Sequence, residues 1–207
     1  MSGGRRPPGR PRLVDLAEPT DLGILRAASG LFLEYGYRGV TMEMVADAAG
    51  LTKAAVYYHF HDKASLVVAS MQWTFELARS ATEAILARPL PLAARLEVLA
   101  QAVLGLPQPF TSFGTLLHEA QAELSPDQMQ ALREAEASVT QPLERAILAA
   151  MADGEIQVED PLLLVHSFVA ALGVGQIVAQ NGKPLFPDLP RTARMLVSVM
   201  FRGIERL

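Results

Sequence analysis

The sequence predicts an all-α protein of about nine helices, a group of short helices near the N-terminus followed by a larger bundle. Three observations carry that prediction. Apolar residues recur at intervals of three and four, which places them on one helix face. No stretch alternates convincingly at a period of two. Residues that start and stop helices fall between the periodic segments. Half of the 207 residues are apolar, so a sizeable core is available.

The elements follow in order. Thr20-Asp21 caps a first helix whose inner face is Ile24, Ala28, Leu31, Phe32 and Tyr35, with Gly36 and Gly39 at its end. Thr41 caps a short second helix, MEMVADAA, ended by Gly50. Thr52 caps a third, KAAVYYHF, and Asp62 a long fourth from about 63 to 87, stopped before Pro89 and Pro91. Further helices are expected at 92–104, 111–123, 126–152, 161–179 and 190–206. Ser125-Pro126-Asp127-Gln128 is a strong start signal: a cap, a proline in the first turn and a glutamine three residues after the cap. The chain divides into an arm at 1–19, a helix-turn-helix head at 20–66 and a body at 67–207.

Composition narrows the function. There is no cysteine, which removes disulfides and thiolate chemistry and suits a reducing cytoplasm. The N-terminus is basic but has no apolar segment behind it, so it is not a secretory signal. The uncharged stretch 161–182 approaches the length of a membrane span, but it holds His166, Ser167, Gln176, Gln180 and Asn181 and reads better as a helix buried on all sides. Net charge is −4, yet residues 1–12 hold Arg5, Arg6, Arg10 and Arg12 with no acid. A local basic surface is therefore compatible with the global balance.

The segment 42–61 has helix-turn-helix spacing. Ala46 sits where the second helix crosses closely, Gly50 where the turn needs a left-handed backbone, and Val45, Ala49, Leu51 and Val56 where a small core is filled. A metal site on His59 and His61 is disfavoured, because residues two apart on a helix face different ways. Catalysis is disfavoured too, since no nucleophile stands beside either histidine. No cofactor, metal or catalytic residue is expected.

The run TMEMVADAAGLTKAAVYYHFHDKASLV, preceded by LRAASGLFLEYGYRGVT, closely resembles the TetR family of bacterial transcriptional regulators. The resemblance covers about residues 21–70, a quarter of the chain. It implies a DNA-binding transcriptional regulator rather than an enzyme, cytoplasmic and on the nucleoid when bound to DNA. It implies that Thr41 and Thr52 hold phosphates, that Lys53 and Ala54 face base edges, and that Tyr57, Tyr58 and His59 meet backbone or bases. Lys63 would reach a phosphate, and Phe60 would be core, joining the DNA-binding head to the fourth helix. Tyr57 and Phe60 share a helix face, so Tyr57 is either a DNA contact or partly core, and Tyr58 is the better contact. His61 departs from the residues often found at its position; it reads as a solvated loop histidine.

The arm GGRRPPGRPR resembles the core of an AT-hook, a peptide that lies in the minor groove; it reads equally as a solubilising tail. For the body, the resemblance implies a homodimer and an inducer pocket. The 161–179 helix, apolar nearly all round, and the 190–206 helix, with Ala193, Leu196, Val197, Met200, Phe201 and Ile204 at helical spacing, suit a four-helix interface or a central core. A dimer predicts an inverted-repeat duplex as target. Pocket candidates are Trp73, Phe110, Phe113, Met129 and Phe168 as apolar walls and His118, Glu119, His166 and Gln176 as polar groups. Each aromatic reads equally as core, and the two histidines read better as satisfied core residues. The inducer would be a small, largely apolar molecule, and the long fourth helix would carry its signal to the heads.

Overall fold

The computed structural model describes residues 20–106 and 112–204. The fold is all-α. The helices are α1 (Thr20–Gly39), α2 (Met42–Ala49), α3 (Lys53–His59), α4 (Lys63–Leu86), α5 (Leu92–Leu104), α6 (Ser112–Ala120), α7 (Pro126–Ser138), α8 (Gln141–Ala152), α9 (Pro161–Gly175) and α10 (Leu189–Ile204). Arg5, Arg6, Arg10, Arg12 and Phe110 lie outside the described residues.

Local chemistry sets the boundaries. Thr41 and Thr52 accept from the backbone N–H of Met44 and Ala55, each at 3.2 Å, and so start α2 and α3. Gly50 ends α2 at φ 68°, and the Leu51 N–H closes the turn on the Ala46 carbonyl at 2.9 Å. Asp62 and Ser65 form a reciprocal capping box at the head of α4. That carboxylate is held below its ordinary range, first by the Ser65 N–H and then by the Ser65 hydroxyl.

Four expectations change. The helix expected over 126–152 is two, α7 and α8, with Val139-Thr140 between them. Pro142 is the cause: it has no N–H to continue the ladder, and its ring excludes the preceding turn's carbonyl. The helix expected over 161–179 stops at Gly175. Residues 177–185 fold back instead, with the Leu185 N–H on the Ile177 carbonyl and the Ala179 N–H on the Lys183 carbonyl, both at 2.8 Å. Gly182, at φ 74°, makes that turn. The helix expected over 111–123 closes at Ala120. Finally, Tyr35 is exposed, and Tyr37 takes the buried place expected for it. Gly36 stands at φ 72° and ψ 173°, a conformation open only to glycine, and this kink turns the next side chain inward.

The core has two parts. One gathers Ile24, Phe32, Tyr37, Val45, Val56, Leu66 and Met71 with Phe113 and Leu116 of α6 and Leu132 of α7. Full burial of a side chain such as Phe32 or Leu66 contributes about 1.5–3 kcal/mol. The residue-66 boundary falls inside this cluster, so α6 and α7 share the head's core. The other cluster lies between α5, α8, α9, α10 and the end of α4. There Ala193 and Val197 are buried within the chain, with Leu196, Met200 and Phe201 packed beside them. From Ala193 to Phe201 the α10 face named from spacing is thus inner core, the Ile204 side chain lies outside the described residues, and Met195 and Val199 mark the outward face. Gly175 likewise serves an internal approach, because a Cβ there would meet Leu104 of α5 at 2.5 Å.

Candidate nucleic-acid interface

Helix α3 is anchored at one point and exposed elsewhere. Val56 is fully buried and Phe60, just after the helix, is half-buried in the same core. Lys53, Ala54, Tyr57, Tyr58 and His59 all face outward. Tyr58 is 86% exposed and Tyr57 46%, so Phe60 alone carries the core role that Tyr57 shared in the sequence reading. The His59 ring stands edge-on to Tyr58 at 5.4 Å between centroids. Exposed phenols and imidazole beside a lysine form a surface of hydrogen-bond donors and flat rings, suited to phosphates and base edges.

The flanking caps sit at the edge of this surface. Both cap threonines are exposed, and each hydroxyl keeps its own hydrogen after accepting from its helix. Two placements were not legible. Lys53 lies 3.6 Å from the Glu43 carboxylate, across from α2. The Lys63 ammonium is turned inward: it donates to the Val40 carbonyl at 3.0 Å and lies 4.1 Å from the centre of the Tyr37 ring. It therefore holds the α1–α2 corner rather than extending toward a phosphate as expected. An aromatic three residues before a buried carbonyl would have been the signal, but only once the Gly36 kink was known.

The candidate ligand residues do not converge. Phe113 packs edge-on against Phe75 at 4.5 Å in the head-side core, with Trp73 and Met129 half-buried on α4 and α7. Phe168 is buried in the other cluster. Gln176 donates to the Val103 carbonyl at 3.1 Å, and among the described residues its buried amide oxygen has no partner. His118 and His166 are on the surface, contrary to the expectation of core histidines, and His118 lies 3.3 Å from Gln121. Glu119 is engaged with α1. Two shallow clefts lie among the described residues, and of the candidates only Glu119 lines either of them. One of about 250 Å³ lies among Glu83, Leu86, Arg95, Arg145 and Ala146, and one of about 270 Å³ among Phe32, Tyr35, Gly36, Thr115 and Glu119. Among the described residues no three His, Asp or Glu side chains group as metal ligands, and no helix is long and apolar enough to cross a membrane.

Comparison with known proteins places this geometry. Residues 24–69 match the model for bacterial regulatory proteins of the tetR family. The probable HTH-type transcriptional regulator ArpR of Pseudomonas putida is 26% identical over 78% of this chain and 81% of its own length. A TetR-family regulator from Mesorhizobium loti superposes with a TM-score of 0.70 at 25% identity, covering 89% of this chain and 96% of the other. FadR from Bacillus subtilis, solved in complex with stearoyl-CoA, shares the fold at a TM-score of 0.68 and 16% identity, over 88% of this chain and 98% of its own. Matching head, matching relatives along most of the length and matching fold agree with the tetR family of bacterial regulatory proteins, and the curated relatives are HTH-type transcriptional regulators rather than enzymes.

Proposed function

We propose that the protein is a homodimeric repressor that binds an inverted-repeat operator and is released by a small, largely apolar molecule. The observation that carries the DNA side is α3: one buried anchor at Val56 beneath an outward row of Lys53, Ala54, Tyr57, Tyr58 and His59. In this reading Lys53 and Ala54 read base edges, the two tyrosines and His59 bind backbone or bases, and Thr41 and Thr52 hold flanking phosphates. The arginines of residues 5–12 add minor-groove contacts. Head (20–66) and body (67–207) divide the labour, and the regulator acts on nucleoid DNA in the bacterial cytoplasm.

The outward face of α9 supports pairing. Leu163, His166, Ser167, Ala170 and Val174 recur at helical spacing on the surface, and Val199 of α10 is 73% exposed. Uncovered hydrocarbon at that density is costly in water, and a second copy would cover it. Two heads about 34 Å apart would then enter successive major grooves. The apolar ligand class is supported by the FadR neighbour, which holds stearoyl-CoA. Trp73, Phe113, Met129, Phe168, His118 and Gln176 remain candidate ligand contacts if the bundle opens around the ligand. A tenfold release needs the ligand to favour the non-binding head arrangement by about 1.4 kcal/mol.

The test is DNA binding by fluorescence anisotropy on duplexes from around the protein's own gene. Nanomolar, salt-sensitive binding is expected, with Lys53→Ala and Tyr58→Ala each weakening it about tenfold while leaving thermal unfolding unchanged. Equal affinity in both variants would remove α3 as the reading helix.

A further inference from the structure

The corner where α1 turns into α2 is held from outside by two carboxylates that the DNA surface does not use. Helix α6 packs chiefly along α1, with Leu116 and Ala120 buried between them. Glu119, on the same face, lays its carboxylate against Gly36, where an added Cβ would meet Oε2 at 2.6 Å. That oxygen accepts from the Arg38 N–H at 3.3 Å. Glu123, in the turn after α6, accepts from the Tyr37 hydroxyl at 2.7 Å. Three consecutive residues, Gly36 to Arg38, are thus gripped by one short stretch of the body.

The grip continues into the reading head. Tyr37 is fully buried and stacks on Phe32 at 6.0 Å between centroids. Burial first, then the Glu123 carboxylate, holds its phenol well above the ordinary range, so Tyr37 is the donor. The Lys63 ammonium covers the same ring and donates to the Val40 carbonyl. Val40 directly precedes Thr41, the cap that starts α2. A polar path therefore runs from α6 through the α1 corner to the first residues of both α2 and α4.

Apolar contacts such as Leu116 and Ala120 against α1 tolerate sliding, since dispersion is not directional. The clasp does not. Its hydrogen bonds need set angles, and the Gly36 backbone leaves no room beside Glu119. A shift of α6 along α1 must either leave the clasp closed or break it, which gives two discrete arrangements. We infer that Glu119 and Glu123 are positioning residues that fix the DNA-binding head against α6 by clasping the Gly36–Arg38 corner, so that the state of the body reaches the head through them. This rests on the regulator reading above, but its structural half can be tested without it.

The chain has no cysteine, so two introduced ones label cleanly. Exposed Ala48 on α2 and exposed Leu148 on α8 become the pair A48C/L148C in the full-length protein, spin-labelled and diluted with unlabelled chain. The head-to-body distance distribution is read by pulsed dipolar spectroscopy. In the parent it should be narrow. Tyr37→Phe, which keeps the ring, and Glu119→Ala should each broaden or displace it, and Glu119→Gln should restore most of the parent distribution. Operator affinity should fall by about fivefold or more in Tyr37→Phe and Glu119→Ala. A contact that only stabilises the fold would lower the unfolding temperature and leave the distances of folded molecules alone. Unchanged distances in both variants would overturn the inference. If a variant fails to fold, Glu123→Ala, which removes the acceptor of the Tyr37 hydroxyl, supplies the same readout. If the parent binds no duplex, the regulator reading fails, and the distances still decide the clasp.

Discussion

Helix α3 and the outer face of α9 both expose large side chains, and they expose different kinds. On α3 the exposed rings are Tyr57 and Tyr58, flanked by Lys53 and His59. On α9 the exposed large hydrophobic side chains are Leu162, Leu163 and Val174, hydrocarbon without a polar end, with His166 and Ser167 exposed beside them. A phenol at the surface keeps its hydroxyl in water until a phosphate or base replaces it. A leucine at the surface has no such partner and gains only when another apolar surface covers it. The first surface is suited to a hydrated polyanion; the second, in the proposal above, to a copy of itself. The same protein therefore leaves two patches uncovered for opposite chemical reasons.

The strongest way to break that comparison is to put a charge on the second patch. Leu163 is 64% exposed, so Leu163→Glu costs the isolated chain little. At a paired interface the carboxylate would be buried without a partner, and the dimer dissociation constant should rise about a hundredfold or more. Sedimentation at micromolar concentration should then show a monomer with native helix content. DNA affinity should fall with it, since one head reads only half an inverted repeat. An undisturbed dimer would mean that this face of α9 is simply solvated.

Helix α4 starts beside the first patch, and its far end enters the core cluster that holds the inner face of α9. Removing its cap with Asp62→Ala should cost about 1 kcal/mol, a drop of about 2–4 °C in Tm. The sign with pH follows from the depressed carboxylate, held down by the Ser65 N–H first. A depressed value makes the stabilisation fully present above the unfolded value, near pH 4, and lost as pH falls through the folded one. The Tm gap between parent and variant should therefore narrow in acid and stay constant from pH 6 to 8. A gap that widened in acid would show that the cap acts through something other than the charged carboxylate.

The two regions also differed in how far the sequence disclosed them. The head was legible because its elements are short, separately capped and tied to fixed spacings: Thr41, Gly50, Thr52 and Asp62 each act within four residues of themselves. What escaped depended on one backbone torsion or one distant contact. Spacing alone put Tyr35 on the inner face, and only the left-handed Gly36 exchanges it for Tyr37. The break at Val139-Thr140 was written in Pro142, outweighed by the periodicity on either side. Asn181-Gly182 marked the fold-back after α9, a turn signal hidden in an apolar run. The ligand residues were the least legible. A buried aromatic such as Phe113 or Phe168 has the same local pattern whether it lines a cavity or fills a core, and the structure distributes the candidates over two clusters.

The smallest effect sharpens the comparison most. Lys53 on α3 and Glu43 on α2 form an exposed pair at 3.6 Å. Arg145 on α8 and Glu83 on α4 form another at 3.2 Å, in the body. Such pairs add little to stability, so neither Glu43→Gln nor Glu83→Gln should move Tm measurably. Their effects on DNA binding should differ. Glu43 holds the lysine proposed to read a base and brings a negative charge toward the phosphates. Its neutralisation should raise operator affinity about two- to fivefold, and the gain should shrink as salt screens it. Glu83→Gln, far from α3 in the chain and exposed near the other end of α4, should leave affinity unchanged. If Glu43→Gln instead weakens binding, the carboxylate aims Lys53 at its base rather than restraining it, and specificity measured across mutated operators should then relax at the position that Lys53 reads.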